Sequence, residues 1–213
     1  MMLWHVSKGQ GRTVIAIPSM GIAIKCARLK KIHLCNFYRD AFSYGREMLS
    51  NPDPDVRKMY WKFVRSSLGR SICLTFRGVG DNWRERSFYK HTNTLHRLLL
   101  QPTHFSFLGL LNIQKYGEPA DEKDSEPIYH AFFPVAGQDL IRDGHHWVNA
   151  GNFHLANDGP KLLDYGNPET QRIVSEYGIA LYTSFDINAG RAQTEKYNRA
   201  HEESTQQLRT PSE

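Results

Sequence analysis

The stretch HHWVNAGNFHLANDGPKLLDYG, residues 145–166, contains the most informative pattern in the chain. Its runs NFHLA and PKLLDY are short, and Asn157-Asp158-Gly159 between them is a turn signal of the kind that hairpin loops prefer. The stretch therefore predicts a β-hairpin with a polar tip, and Asn152 and Asp164 stand at its two ends. In the simplest interpretation these two residues close the strand ends and Asp164 caps the following turn.

The overall composition is that of a globular protein. The chain has 213 residues, of which 40% are hydrophobic and 23% charged, which is enough for one well-buried domain or for two small lobes. Its net charge of +5 suits an anionic small ligand. The basic residues are spread over residues 8–31, 57–70 and 84–97, and no aromatic RNA-binding motif is present, which argues against specific nucleic-acid binding.

The cysteines and the apolar runs indicate the compartment. Cys26, Cys35 and Cys73 are odd in number and lack CxxC spacing, so they argue against a zinc knuckle or a disulfide framework and favour a reducing compartment. We expect Cys26 and Cys73 at core or second-face positions, because each falls in an apolar run. Without a signal peptide or an eighteen-residue apolar run, we expect a cytoplasmic protein with no membrane span, and export by a non-classical route stays open.

Turn signals and periodicity divide the rest of the chain into strands and helices. We predict a hairpin over 11–28, helices over 36–68 and 83–100, a buried strand that turns at a glycine over 105–117, a strand over 128–135 and helical patches over 169–208. Asn51-Pro52-Asp53-Pro54 breaks the first helical segment, Asp53 or Asp55 is available to cap its second half, and Asn82 is placed to cap the next helix. This order predicts an α+β fold.

Several of these segments, in this order, resemble the protein-kinase superfamily, including its bacterial small-molecule and lipopolysaccharide kinase branches. SKGQGRTVIAIPSMGIAIK, residues 7–25, resembles the glycine-rich loop and the strand that carries the phosphate-binding lysine. The resemblance implies that the backbone at Gly9 and Gly11 approaches the phosphates of ATP and that Lys25 neutralises their charge. The third glycine of the family pattern is absent, because Val14 stands at or near its position.

Kinases also have a glutamate that pairs with this lysine. Glu85 in NWRERSFYKH lies on the predicted helix directly before FSFLGLLNI, which is the order that the family shows, and is the first choice for this role. Glu47, which is closer to Lys25 in sequence, is the second choice. Taken alone, either glutamate is more often a solvated surface charge.

The opening stretch carries the closest match to the family. HHWVNAGNF is similar to the catalytic loop of small-molecule kinases, and KLLDYG is similar to the metal-binding Asp-Phe-Gly. The resemblance implies that Asn152 and Asp164 hold Mg²⁺ against the β- and γ-phosphates of ATP, since hard oxygen ligands suit a hard cation. The hairpin that connects the two residues would bring both ligands to the same place.

The catalytic base admits two registers. In the register just given, Trp147 occupies the position of the catalytic aspartate, and an indole can neither accept a proton nor orient a hydroxyl. A second register reads Ile141-Arg142-Asp143 as the family's His-Arg-Asp, which makes Asp143 the base and Asn149 a metal ligand, with one extra residue between them. Asp139 is a further possible carboxylate.

The resemblance implies a protein-kinase-like α+β architecture: a small N-terminal β-rich lobe over residues 1–135, a reduced C-terminal lobe over 136–202 and a disordered tail over 203–213. It implies a minimal kinase-like phosphotransferase, bacterial or phage-encoded, that uses ATP and Mg²⁺ to phosphorylate a hydroxyl of a protein or small molecule. Asp143 and Asp164 would have the catalytic roles.

Three alternatives stay open. The chain could be an inactive pseudokinase that acts as a binding or regulatory module, or an unrelated α+β interaction protein. A zinc site built from His145, His146 and His154 with Asp143 or Asp158 is the third, although no recognised metalloprotease spacing is present.

Overall fold

The computed structural model describes residues 4–9, 11–50 and 53–209. These residues form one sheet of five strands, a second sheet of two strands and several helices, so the predicted α+β class is confirmed. The strands are β1 (His5–Lys8), β2 (Arg12–Ile17), β3 (Ile22–Ala27), β4 (Thr103–Phe107), β5 (Leu111–Lys115), β6 (Phe153–Ala156) and β7 (Gly159–Leu162). The helices are α1 (Lys31–Ser50), α2 (Pro54–Thr75), α3 (Arg77–His91), α4 (Ser125–Ala136), α5 (Gln138–Arg142), α6 (Gly144–Trp147), α7 (Pro168–Thr183) and α8 (Ile187–Arg209).

The chain separates into two compact units. The first contains the described residues up to Trp83 and His104–Gln114, and the second contains Arg84–Thr103 and the described residues from Lys115 onward. These units are groups of residues in mutual contact, whereas the lobe boundary after residue 135 rests on the kinase resemblance and stays a prediction.

The first unit contains the five-stranded sheet, whose strand order is β1-β2-β3-β5-β4. The runs on either side of the turn Pro18–Met20 form the predicted hairpin of β2 and β3, and Gly21 ends this turn with a left-handed φ of 65°. Antiparallel pairing places Val14 of β2 opposite Lys25 of β3. Ala23 and Lys25 are both buried and lie two residues apart in β3, so they project from the same face of the sheet.

Asn82 joins helix α3 to this sheet. Its side chain is fully buried and donates hydrogen bonds to the backbone carbonyls of Lys25, at 3.1 Å, and Gly109, at 2.9 Å. Its backbone carbonyl accepts a bond from the side chain of Asn112 at 2.8 Å. The prediction that Asn82 caps the helix is wrong, because α3 begins earlier, at Arg77, and the Asn82 amide satisfies one carbonyl of β3 and one of the β4–β5 loop instead.

The segment predicted as one buried strand over 105–117 is the hairpin of β4 and β5. The predicted turn at a glycine is confirmed, since Gly109 has a φ of 70° in the loop between the strands. The predicted burial is wrong for Phe105 and Phe107, which are 50% and 56% exposed. Strand β4 is at the edge of the sheet, which explains why its side chains are less covered than those of a central strand.

The hydrophobic core of the second unit forms around helix α4. The strand predicted over 128–135 is wrong, because this segment is helical. Its buried residues Ile128, Phe132 and Ala136 recur every four residues, which is the spacing of one face of a helix rather than of a strand. The aromatic and β-branched composition that favoured a strand serves here to fill a core. The other fully buried apolar side chains of this core are Leu99, Leu140, Trp147, Phe153, Leu162, Tyr165, Ile173, Val174 and Leu181.

Most of the remaining differences between prediction and structure concern where the helices begin and end. The predicted helical segment over 36–68 is confirmed by α1 and α2; Asn51 and Pro52 of the predicted break lie outside the described residues, and Asp53 caps α2 by accepting a bond from Asp55 N at 2.8 Å. The helix predicted over 83–100 ends at His91, and a separate 3-10 turn follows at His96–Leu99.

The end of the chain and Cys73 differ from their predicted environments. Helix α8 continues to Arg209, so the described part of the predicted tail is helical, and residues 210–213 lie outside the described residues. Cys73 is exposed on α2 rather than buried, because the run SICLTF is part of a helix, and Cys26 is half-buried in β3. None of the helices in the described ranges is long and apolar enough to cross a membrane.

A close backbone contact between Gly11 and Gly78 gives the first prediction. A Cβ atom at Gly78 would overlap the carbonyl oxygen of Gly11 and lie 2.9 Å from its carbonyl carbon. We expect Gly78→Ala to lower the free energy of unfolding by about 1–3 kcal/mol, as overpacking does. The matched control is Gly69→Ala within α2, where a Cβ meets nothing within 4 Å and the better helix propensity should raise stability by about 0.5–1 kcal/mol. Urea unfolding measures both, and equal changes in the two variants would contradict the close contact.

Candidate functional site

The residues predicted to contact phosphates lie in the first unit. The Gly9 N–H donates to the carbonyl of Arg12 at 2.9 Å, and the Gly11 carbonyl accepts from the Arg28 N–H at 2.8 Å. The Arg28 side chain also donates to the Gly9 carbonyl at 3.2 Å, so the glycine turn is held against the residues that follow β3. Lys25 is 5% exposed, and an ammonium buried this far is stable only when its charge is compensated.

The two candidate glutamates have different environments. Glu85 is on α3 and is fully buried, which differs from the solvated charge that such a residue usually is. Glu47 is exposed on α1, and its side chain accepts a hydrogen bond from Tyr60 of α2, which raises the pKa of the tyrosine. Burial therefore distinguishes Glu85 from Glu47.

The predicted metal ligands lie at the ends of the β6–β7 hairpin in the second unit. The hairpin predicted around Asn157-Asp158-Gly159 is confirmed, with Phe153 paired to Leu162. Beyond this pair, the Leu163 N–H donates to the Asn152 carbonyl at 2.6 Å, which extends the ladder by one position. Asp164 follows Leu163 directly, so the hairpin brings the backbones of Asn152 and Asp164 to the same end of the ladder.

The orientation of the Asn152 side chain is fixed. Its Nδ2 atom donates to the backbone carbonyl of His146 at 3.0 Å. Because the amide nitrogen is bound in this way, the amide oxygen is the atom that could coordinate a cation. On the other strand, the Gly166 N–H approaches Asp164 Oδ1 at 3.5 Å.

Tyr165 anchors the segment that carries Asp164. The Tyr165 hydroxyl is buried and donates to the Gln101 carbonyl at 2.8 Å. Since that bond uses its single proton, the hydroxyl of Thr103, 2.7 Å away, donates to the Tyr165 oxygen. Gln171 donates to the Tyr165 carbonyl at 2.8 Å. These contacts and the apolar core fix the backbone on both sides of the tyrosine.

Asp143 lies at the centre of a buried polar cluster. Its carboxylate accepts hydrogen bonds from His146 Nδ1 at 2.8 Å, from Asn167 Nδ2 at 3.4 Å and, through a short contact, from the hydroxyl of Thr170. Asp143 is only 5% exposed. Asn167 and Thr170 belong to the start of α7, and Asn167 also caps this helix by accepting a bond from Glu169 N at 2.8 Å.

Trp147 and Asn149, on which the two registers depend, each have a structural role. Trp147 is fully buried and packs edge-on against Phe132, with ring centroids 5.4 Å apart, so it belongs to the core and not to the polar cluster. Asn149 accepts a bond from the Gly151 N–H at 2.9 Å and thereby caps the short turn before β6. The Asn149 side chain thus has a local role, whereas Asn152 is fixed next to the Asp143 cluster through His146.

Asp139 is part of a network of charged side chains rather than of the Asp143 cluster. Arg172 donates to its carboxylate at 2.8 Å and Tyr177 donates at 3.0 Å. These bonds, that from Arg172 above all, lower the pKa of Asp139. The hydroxyl of Tyr177 lies between the carboxylates of Glu176 and Asp139, which raise its pKa to about 12.

The histidines do not form a metal site in the part of the chain that the structure describes, where no group of three His, Cys, Asp or Glu side chains is placed to hold an ion. His145 is exposed, and His154 donates from Nδ1 to the Glu118 carbonyl at 2.9 Å.

The structure therefore links Asp143 and Asn152 through His146, and the hairpin places the backbone of Asp164 beside that of Asn152 within the second unit. Sequence reasoning missed the roles of Asn167 and Thr170. The Asn167-Pro168-Glu169 signature does mark a helix start, but nothing in the sequence indicates that this helix start contacts a carboxylate 27 residues earlier.

Comparisons of the chain with protein-family models, with curated proteins and with solved structures find no match.

The network around Asp139 gives a pH-dependent prediction. Because the folded-state pKa of Asp139 is below its ordinary value of 3.8, the carboxylate stabilises the fold above that pH, and this contribution is lost as the pH falls through the lowered pKa. We expect Asp139→Asn to be less stable than the wild type at pH 7 and the difference to shrink as the pH falls below about 4. Urea unfolding of both proteins from pH 7 to below about pH 4 measures this difference in stability. Asp121→Asn, which removes the exposed partner of Lys123, is the surface-pair control. A difference that grows on acidification would contradict the assignment.

Proposed function

We propose that the chain is a minimal kinase-like phosphotransferase that uses ATP and Mg²⁺ to phosphorylate a hydroxyl of a protein or small molecule. The observation that carries the proposal is the position of Asn152 and Asp164 at one end of the β6–β7 hairpin, with Asn152 bonded to the residue that also contacts the buried Asp143. An amide oxygen and a carboxylate are ligands of the kind that hold a phosphate-bound Mg²⁺.

The environment of Lys25 supports the same proposal. In the proposal Lys25 neutralises phosphate charge and the glycine turn allows a close approach of backbone to phosphate. A lysine buried in the central strand of a five-stranded sheet is uncommon, and its backbone is held by Asn82. Glu85 is the proposed acidic partner of this lysine. Its complete burial supports a role that an ordinary surface glutamate does not have.

Asp143 is the proposed catalytic base. Its bonds to His146, Asn167 and Thr170 hold the carboxylate in one orientation. An oriented carboxylate positions a substrate hydroxyl and accepts its proton as phosphate transfer proceeds.

The hydrogen bonds that Asp143 accepts also favour a second candidate function, a pseudokinase that binds nucleotide and acts through a partner. A carboxylate that is 5% exposed and already accepts bonds from three side chains has little room for a substrate hydroxyl. Nucleotide binding is common to both candidates, and only phosphate transfer distinguishes them.

Nucleotide binding is the first test of the proposal. With ATP at 100 times its dissociation constant and Mg²⁺ present, linkage predicts a rise in melting temperature of about 5–10 °C for a chain of this size. We expect Asp164→Asn and Lys25→Met to lose most of this rise. The matched control is Asp158→Asn, which changes an exposed aspartate at the tip of the same hairpin and should keep it. Absence of any Mg²⁺-dependent shift in the wild type would reject both the kinase and the pseudokinase and leave an interaction protein.

Phosphate transfer is the second test. With a pool of protein and small-molecule hydroxyl acceptors and γ-labelled ATP, we expect transfer by the wild type and a loss of about 10²–10⁴ in rate for Asp143→Asn, since this is what a positioned base contributes. The variant should keep its ATP-dependent thermal shift, which shows that it is folded. Asp139→Asn is the control, because it removes a neighbouring carboxylate outside the cluster. Nucleotide binding without transfer to any acceptor, by wild type as well, would favour the pseudokinase.

A further inference from the structure

Helices α1 and α2 form a self-contained helical hairpin between strand β3 and helix α3. Their rings interlock at Tyr44, which lies 4.7 Å from Phe63 and 6.1 Å from Tyr60 between centroids. Among the described residues, neither helix packs extensively against any element except the other. At the base of the hairpin, Lys30 N donates to the Thr75 carbonyl and the Thr75 hydroxyl to the Lys30 carbonyl, both at 3.4 Å.

The helical hairpin exposes an unusual number of large apolar side chains. On α1, Phe42 is 79% exposed and Tyr38 is 70% exposed, and the spacing of four residues places them on one side of the helix. This side is not the one that packs on α2, since Tyr44, which makes that contact, is two residues from Phe42. On α2, Trp61 is 64% exposed and shares one side with Leu68 and Ile72. Ile32 and Met59 are also 60% exposed.

Basic residues accompany these apolar side chains. Residues 31–75 contain eight basic and four acidic side chains, a net charge of +4 out of the +5 of the whole chain. All eight basic side chains are exposed: Lys31, Arg39, Arg46, Arg57, Lys58, Lys62, Arg65 and Arg70. Only weak surface pairs, such as Lys58 with Asp55 at 3.2 Å, offset them. The surface of the helical hairpin is therefore both cationic and apolar.

We propose that the helical hairpin α1–α2 binds the surface of an anionic lipid bilayer. Lysine and arginine would contact the acidic headgroups, while Trp61, Tyr38 and Phe42 enter the boundary between headgroups and acyl chains, where aromatic side chains are favoured. Neither helix can cross a bilayer, so the hairpin lies in the plane of the interface. This binding is independent of the proposed phosphotransfer and uses different residues.

Charge and side-chain chemistry favour a bilayer over other occupants. A second copy of the helical hairpin would bring a net charge of +4 against +4, which repels. Nucleic acid would satisfy the basic residues and offer bases to the aromatic rings. It would leave Ile32, Leu68 and Ile72 in water, because aliphatic side chains gain little from phosphates and sugars. An acidic bilayer satisfies both features, since it offers negative charge at its surface and hydrocarbon just below it.

The test is partitioning of the full chain onto vesicles. At 150 mM salt we expect the wild type to sediment with vesicles of phosphatidylcholine containing 30% phosphatidylserine and not with pure phosphatidylcholine. Binding should weaken at 500 mM salt, because headgroup attraction is screened. The double variant Lys62→Glu, Arg65→Glu should bind at least about 20-fold more weakly, since each basic residue near such a surface strengthens binding roughly fivefold.

Two matched controls locate the binding surface. Lys196→Glu, Arg199→Glu makes the same charge change at the same spacing on exposed positions of α8 and should bind like the wild type. The pair Phe42→Ser, Trp61→Ser keeps all charges and should also bind more weakly, by about tenfold or more, whereas Tyr197→Ser, which alters an aromatic residue 63% exposed on α8, should not.

Three outcomes would overturn the proposal. The first is no partitioning onto the anionic vesicles, and the second is an equal loss in the hairpin and α8 charge variants. The third is binding to polyglutamate as strong as binding to vesicles, with no effect of Phe42→Ser, Trp61→Ser. That result would assign the surface to an acidic protein instead of a bilayer.

Discussion

The carboxylate of Asp143 is buried in the second unit, and a buried negative charge is stable only when donors surround it. This requirement explains why three separate parts of the chain meet there. His146 contributes a donor from the next helix, α6, while Asn167 and Thr170 contribute donors from the start of α7. Asn152, at the start of the β6–β7 hairpin, is tied to the same place by its bond to the His146 carbonyl. Loss of the Asp143 side chain would leave these donors without their common acceptor, so the positions of α6, α7 and the hairpin are interdependent.

The apolar core supplies the rigidity that the polar cluster needs. Trp147 directly follows His146 and packs with Phe132 and Phe153, so the backbone that presents His146 is held by a fully buried ring. Tyr165 does the same for Asp164, with its ring in the core and its hydroxyl bonded to Gln101. In both cases a polar residue of the candidate site is adjacent in sequence to a buried aromatic residue. This alternation fixes the site while leaving its side chains at the boundary of the core, which is how a rigid scaffold orients functional groups.

The sequence predicts the local elements well where turn chemistry and periodicity agree. Gly21 and Asn157-Asp158-Gly159 mark the two hairpins, and Asp53 marks the start of α2, because each residue type has a direct backbone reason for its position. Prediction from the sequence fails where the same composition is compatible with two structures. The run at 128–135 has strand composition but a helical spacing of buried residues, and Asn82 has the character of a cap but bonds across to strands. The Asp143 cluster cannot be predicted from the sequence for a different reason. Contacts between residues 27 positions apart depend on how α7 packs and leave no local pattern.

The net charge of the chain illustrates why composition alone cannot locate a function. A charge of +5 suits an anionic small ligand, and phosphate binding at Lys25 would be one such case. Yet almost all of the excess is in the helical hairpin α1–α2, far along the sequence from Asp143 and Asp164. Lys25 is buried in a strand, where the charge of a single ammonium is in a low dielectric and is little screened. The eight basic residues of the helical hairpin are exposed, where each single charge is weakly felt and only their sum is large. The net charge therefore combines a buried lysine with an exposed basic surface. Salt should weaken the interactions of the exposed surface far more than those of the buried lysine.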